Sequence, residues 1–185
     1  MASFTRKAII EAFVKLLNER PLNKITIRDI VEECGINRNT FYYHFRDLPD
    51  LIEAIVQEET DLVMRENTSV QSFDRCLEIA TSFIMKNRRA NLHIFNSASR
   101  DMYERQLMQI CRHVVTTFLQ GEFEKRGICP EDRRIVITCY ACQVFGLFID
   151  WLENSLREDF LPELNRLCEL RRGSIETALN RCRTV

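Results

Sequence analysis

Residues 25–45 read ITIRDIVEECGINRNTFYYHF, and the reading of this stretch decides the fold. Thr26 is a good N-cap for a short helix over about Ile27–Cys34, and Asp29, three residues on, favours the positive helix end as a shorter stand-in for a capping-box Glu. Ile30, Val31 and Cys34 face inward. Gly35 follows where a left-handed residue is needed, so Cys34-Gly35-Ile36 makes a tight turn. Asn37 then caps a second short helix over about Arg38–His44. Two short helices across a tight turn form a helix-turn-helix. Phe41 and Phe45 are four apart, share one face and can anchor the second helix on a core. The remaining face presents Arg38, Asn39, Tyr42 and Tyr43. Arg can bind guanine bidentately and Asn can bind adenine, while Tyr and Thr hydroxyls and His can bond phosphates. The alternative is a generic packing unit with a solvated aromatic face. Two exposed tyrosines followed by His44 favour DNA, because a solvated helix seldom spends bulky aromatics that way.

Outward from this stretch the pattern is helical throughout. Upstream, Ile9, Ile10, Phe13, Leu16 and Leu17 mark the apolar face of a helix over about Thr5–Glu19, stopped by Pro21. Downstream, a helix over about 47–67 opens at Asp47 with Pro49 in its first turn. NTSVQS at 67–72 is a break, and Ser72 can cap a helix to about Met85. Further helices are expected over about Ala90–Ser99, Asp101–Lys125 (ending at Gly127), Pro130–Glu153 and Leu161–Arg181. Gly and Pro are scarce, at 5 and 4 in 185 residues, and clean alternating runs are missing, so the chain reads as all-α.

The motif T-x-R-D-I-V-x-x-x-G-I-N-R-N-T-F-Y-Y-H-F resembles the TetR/AcrR helix-turn-helix, and the resemblance covers about Thr5 to Val56. It implies about nine helices: a three-helix DNA head over residues 1–46 and a helical body for effector binding and dimerisation over 47–185. On matching positions it implies a sequence-specific, operator-binding regulator, read as a repressor acting as a homodimer on double-stranded DNA. Tyr42 and His44 would clamp phosphates, and Arg38, Asn39, Thr40 and Tyr43 would lie at the major groove, with Asn37 at the start of the segment. Arg28 would reach a base or phosphate, and Thr26 a phosphate. Leu48 stands where the family commonly carries a Lys, and Arg46 is the candidate substitute. The run N-R-N-T-F-Y-Y-H-F-R-D also resembles a branch that includes regulators of dihydroxyacetone kinase operons.

Composition agrees with that division. Net charge is −1, but residues 1–46 carry +3 and the remainder −4, which suits a DNA-reading head on a regulatory body. Residues 135–152 are apolar nearly all round, and a helix with no polar face must be covered on all sides, with a partner subunit as the natural cover. In the resembled family, two C-terminal helices of each subunit form that interface. Leu164, Leu167, Ile175, Ala178 and Leu179 offer compatible spacing, and Gly146 and Gly173 would permit close helix approach. A small-molecule effector pocket is expected among the central helices. Its candidates are Phe83, His93, Phe95, Asn96, Met102, Tyr103, Cys111, Phe118, Gln143, Phe145 and Trp151. For each taken singly, core or interface packing is the simpler role.

Other classes fit poorly. There is no Gly-rich phosphate loop, no G-x-S-x-G and no metal-spaced His/Asp set among only 3 His, so no enzyme, cofactor or metal is expected. The opening MASFTRKAIIEAF turns polar at once, unlike an export signal, and the eight cysteines then read as reduced cytoplasmic thiols. Cys139 and Cys142 form the only C-x-x-C. With no second pair and no His nearby it lacks the four ligands of a zinc site, so the pair reads as two buried small residues, with a thiol switch as the alternative. The run 135–152 is interrupted by Thr138, Gln143, Gly146 and Asp150, which favours a buried helix over a membrane span. The rival to the effector reading is a DNA-binding activator or adaptor whose body binds a protein. A preformed cavity would favour the small molecule, and a filled core with an exposed apolar patch the protein.

Overall fold

The computed structural model describes residues 2–66 and 73–184. Among these residues the chain is helical, with no strand beyond one isolated antiparallel bridge between Ile128 and Thr184. In order the elements are α1 (Ala2–Glu19), a 3-10 turn (Leu22–Lys24), α2 (Ile27–Cys34), α3 (Arg38–His44), α4 (Leu48–Glu66), α5 (Phe73–Lys86), α6 (Arg88–Phe95), α7 (Arg100–Arg126), α8 (Pro130–Glu153), α9 (Phe160–Leu170) and α10 (Ser174–Leu179). The expected cap at Ser72 lies outside the described residues.

The start and stop chemistry explains the boundaries. Thr26 and Asp29 form a reciprocal capping box: the Asp29 N–H donates to Thr26 Oγ1 at 3.3 Å, and the Thr26 N–H donates to Asp29 Oδ2 at 2.7 Å. Gly35, at φ +68°, closes α2 by donating its N–H to the Val31 carbonyl. Asn37 Oδ1 accepts the Thr40 N–H at 2.8 Å and opens α3. Asp47 Oδ1 takes the Asp50 N–H at 2.8 Å, so Pro49 sits in the first turn of α4, where no intrahelical donor is lost.

One expectation fails in the last stretch. The helix anticipated over 161–181 is two helices, because Gly173 adopts φ +79° and breaks it, which makes ten α-helices among the described residues. Within the chain a Cβ built at Gly146 or Gly173 would meet nothing within 4 Å.

The chain divides into two compact units, one of residues up to Leu62 with Phe83–Gln106, the other of Val63–Ser82 with residues from 107 onward. In the first, α1 packs on α2 and α6 and buries Ile9, Phe13, Leu16 and Leu17, while Ile30, Phe41, Phe45, Leu51 and Phe95 are buried with them. α6 is also pinned by polar contacts, the Ala90 N–H donating to Asn18 Oδ1 at 3.3 Å and His93 Nδ1 to the Leu17 carbonyl at 2.6 Å. In the second unit Trp151 stacks on Phe160 at 4.3 Å between ring centroids and donates its indole N–H to the Arg157 carbonyl at 2.9 Å. The C-terminal segment is strapped down, the Cys129 N–H donating to the Arg183 carbonyl at 2.9 Å and Arg183 pairing with Asp132 at 2.8 Å.

α8 is long and apolar enough to cross a membrane by length and composition. One of its faces is nevertheless packed in the second unit: Val136, Tyr140, Ala141, Val144, Phe148, Trp151 and Leu152 are buried. Its opposite face is bare, with Ile135 57% exposed and Cys139, Cys142 and Gly146 exposed along the same row. The two cysteines are thus surface residues, not the buried pair expected, because the unit covers only one side of this helix.

Asp29 gives the capping box a pH signature. Its hydrogen bonds from the Thr26 hydroxyl and backbone N–H, with Arg20 as a lesser contributor, hold the carboxyl down at about 2. The ordinary value is about 3.9, so the stabilising contribution is complete above that value and is lost as pH falls through about 2. Asp29→Asn should lower the urea midpoint at pH 5, and the gap to the parent chain should shrink as pH falls from about 4 towards 2.

Candidate nucleic-acid interface

α3 is split into an anchored and a presented face. Phe41 and Phe45 are buried and meet each other at 5.9 Å between ring centroids. On the other side Tyr43 is 79% exposed, and Tyr42, Arg38, Asn39 and Asn37 are exposed with it. His44 is half-buried, edge-on to Tyr43 at 5.0 Å. Tyr42 stands edge-on to Phe41 at 5.6 Å, which stiffens a side chain otherwise surrounded by solvent.

Several of the polar groups already have local partners. Thr40 Oγ1 donates to Asn37 Oδ1 at 3.0 Å, so both serve the helix start as well as any external partner. Thr26 Oγ1 donates to Asp29 Oδ2 at 2.6 Å. Arg28 pairs with Glu32 at 2.7 Å, and Arg46 with Asp50 at 3.0 Å. In each pair hydrogen bonding to the carboxylate comes first, and its charge second, in raising the guanidinium pKa. These are exposed surface pairs, and such pairs exchange partners at little cost. Arg6 does not stand out in the sequence. It stacks over the Phe45 ring at 5.2 Å and pairs with Glu58, adding a cation behind the end of α3 that residue spacing in α1 does not signal.

The effector candidates fall in both compact units. Tyr103 is buried and donates its hydroxyl to Asn91 Oδ1 at 3.2 Å, Asn91 in turn donating to the Ile84 carbonyl at 2.9 Å. Burial raises the Tyr103 pKa and pushes the Cys111 thiol up to about 12. Phe95 and Trp151 are core residues, His93 is tied to α1, Met102 and Phe145 are half-buried, and Asn96 and Gln143 are exposed. The Phe83 side chain lies outside the described residues. Phe118 lines a cavity of about 700 Å³ in the second unit, where apolar Leu119, Leu167, Ile175 and Leu179 stand beside a charged rim of Glu122, Glu169, Arg171, Arg172 and Glu176. Gln106, absent from the sequence-derived set, is 9% exposed, and its Oε1 meets no donor among the described residues. Only the fold reveals it, because a Gln on a helix is ordinarily solvated.

The chain resembles regulators along most of its length. The family described as bacterial regulatory proteins, tetR family, matches residues 9–55, and a transcriptional regulator C-terminal region matches 71–172. The probable HTH-type transcriptional regulator ArpR of Pseudomonas putida is 28% identical over 117 residues, 60% of this chain and 51% of that protein. The HTH-type transcriptional regulator TtgR, also of Pseudomonas putida, matches to the same extent. The chain thus spans about half the length of the curated relatives it matches. Among solved structures, the dihydroxyacetone kinase operon activator DhaS aligns with a TM-score of 0.71 at 17% identity, covering 90% of this chain and 95% of that one. NalD of Pseudomonas aeruginosa, described as the secondary repressor of the MexAB-OprM multidrug efflux pump, aligns at 0.59 with 20% identity, covering 91% and 95%.

The split of α3 is open to direct test by stability. Phe41→Ala empties a fully buried site and should cost roughly 3–5 kcal/mol. Tyr43→Ala removes an exposed ring and should stay within about 0.5 kcal/mol of the parent chain. Urea denaturation of both variants reads the contrast, and comparable losses would mean that the tyrosine is packed.

Proposed function

The chain belongs to the TetR family of bacterial regulatory proteins, and on that premise we propose that it is a cytoplasmic, homodimeric repressor whose hold on operator DNA is set by a small-molecule effector. The observation that carries this reading is α3: an anchored helix whose outward face is Arg38, Asn39, Tyr42 and Tyr43. A major groove about 12 Å wide admits such a helix. Arg38 has the chemistry for guanine O6 and N7, and Asn39 for adenine. Tyr42, His44, Thr26, Arg28 and Arg46 are suited to phosphates, with Tyr43 and Thr40 at the groove and Asn37 setting the helix start. Residues 1–46 act as the DNA-binding domain and 47–185 as the effector and dimerisation domain.

The second copy follows from two needs. One seven-residue reading helix offers too few base contacts, so a two-fold pair on half-sites about one turn apart, roughly 34 Å, supplies the rest. The bare apolar row of α8 also needs cover, and a copy of itself is the natural occupant. Effector control is supported by two separate features: the unpaired Gln106 Oε1 acceptor, and a cavity of about 700 Å³ whose lining does not include Gln106 and whose volume suits a small molecule. An effector that binds one arrangement of the dimer more tightly than another shifts the population, and with it the spacing of the reading helices.

Arg38→Ala should weaken operator binding by about 1–3 kcal/mol and relax the preference at one base position, whereas Tyr42→Phe should weaken all duplexes alike. Fluorescence anisotropy at fixed salt, on the operator and on base-substituted duplexes, measures both. Unchanged affinity in both variants would sink the assigned reading face. Gln106→Leu replaces the unpaired acceptor with an apolar side chain of similar size. It should leave operator affinity intact and abolish derepression by the effector in a reporter assay, and a retained response would exclude Gln106 as the contact.

A further inference from the structure

The bare row on α8 carries more than an apolar contact. Between Glu131 at one end and Asp150 and Glu153 at the other, its outward positions are Ile135, Cys139, Cys142 and Gly146, flanked by two exposed cations, Arg134 beside Ile135 and Arg112, whose guanidinium donates to Thr138 Oγ1 at 3.2 Å. The middle of that stretch is the Cys139–Cys142 pair. In an isologous two-fold contact the centre of a patch meets its own copy. Two chains joined along this row therefore bring two C-x-x-C pairs to one point. Among the described residues of a single chain, no group of three or more His, Cys, Asp or Glu side chains could hold a metal. The second pair that a tetrahedral site requires comes from the other copy.

Spacing favours a bridging cation over a disulfide within the helix. Residues three apart on a helix have Cβ atoms about 5–6 Å apart. A disulfide needs about 3.5–4.5 Å between them. A tetrahedral site with Zn–S bonds of about 2.3 Å needs its sulfurs only about 3.8 Å apart, which rotation about each Cα–Cβ bond can supply. A second observation points the same way. The side-chain amide of Gln143, exposed on the next turn, donates to Cys139 Sγ at 3.4 Å. Such N–H donors stabilise and orient metal-bound thiolate. Gly146 leaves open space one turn beyond Cys142, where an approaching helix meets no side chain.

Resting on the homodimer reading, we propose that Cys139 and Cys142 of two chains form a four-sulfur site at the two-fold axis for a thiophilic divalent cation of the Zn²⁺ class. Each thiol releases its proton to solvent as its sulfur–metal bond forms, so uptake is proton-linked and the ion ties the two α8 helices together.

The experiment uses the full chain, reduced and stripped of metal. Sedimentation gives the mass first, and a monomer would overturn the homodimer reading itself, whatever the metal does. The dimer is then titrated with Zn²⁺, and with Co²⁺ as the spectroscopic probe. The expected result is one ion per two chains, with thiolate-to-cobalt charge transfer and the visible bands of tetrahedral cobalt. Cys139→Ser and Cys142→Ser should each remove that signature without changing the dimer mass, since both side chains are exposed in the protomer. Cys129→Ser should leave it intact. Gln143→Leu should keep the stoichiometry and weaken Zn²⁺ binding by roughly 10-fold. No uptake by the dimer, one ion per chain, or binding that survives loss of both Cys139 and Cys142 would overturn the site.

Discussion

A helix of seven residues cannot hold itself together in water, where lengths below about 12–15 are marginal. α3 nevertheless has to be rigid, because its side chains can be read only at fixed spacing. Its order is borrowed from the Asn37 cap at one end and from the burial of Phe41 and Phe45 along one face. The turn at Gly35 makes that burial possible, since only a left-handed residue there brings α3 back across the core that α1 and α2 build. Once the two phenylalanines are committed inward, helical periodicity turns Asn39 and Tyr43 to the far side, while Arg38, three residues before Phe41, is exposed at the first position of the helix. The presented face is thus a by-product of the anchored one.

The same logic, run without a second layer, governs α8. Seven of its side chains are buried by the unit that contains it, and a row through Ile135, Cys139, Cys142 and Gly146 is left bare. Apolar surface in such a row costs about 25 cal/mol per Å² to leave in water, a steady pull towards a partner with the same shape. In the proposed dimer these two needs, a second half-site for the reading helix and cover for α8, would be met by one assembly.

How much of this is visible in the residues depends on whether the deciding interaction is local. Thr26, Asp29, Gly35 and Asn37 act within four residues of themselves, so α2 and α3 are legible to their ends. Pro130 likewise marks the start of α8. Gly173 defeats a reading by pattern, because a glycine inside an apolar-periodic stretch can either continue a helix or turn left-handed, and only the packing of α9 and α10 decides. Cys139 and Cys142 look buried by pattern because hydropathy does not say which faces of an apolar helix the rest of the chain covers. The body candidates share polar tips on apolar helices. Tyr103 finds its partner in Asn91, twelve residues away, and Gln106 Oε1 finds no donor among the described residues. Those outcomes turn on three-dimensional pairing that no spacing rule reaches.

The electrostatics of the head carry one more step. Arg28 and Arg46 are held by Glu32 and Asp50, and the Thr26 hydroxyl by Asp29, while Arg38 has no such carboxylate among the described residues. In the proposed complex, phosphate contacts by Arg28 and Arg46 are exchanges: an exposed ion pair worth about 1 kcal/mol or less gives way to a phosphate pair that also releases a counterion. Arg38 breaks no ion pair among the described residues on entering a groove, so in the proposed complex its cost there is only its lost hydration and side-chain freedom.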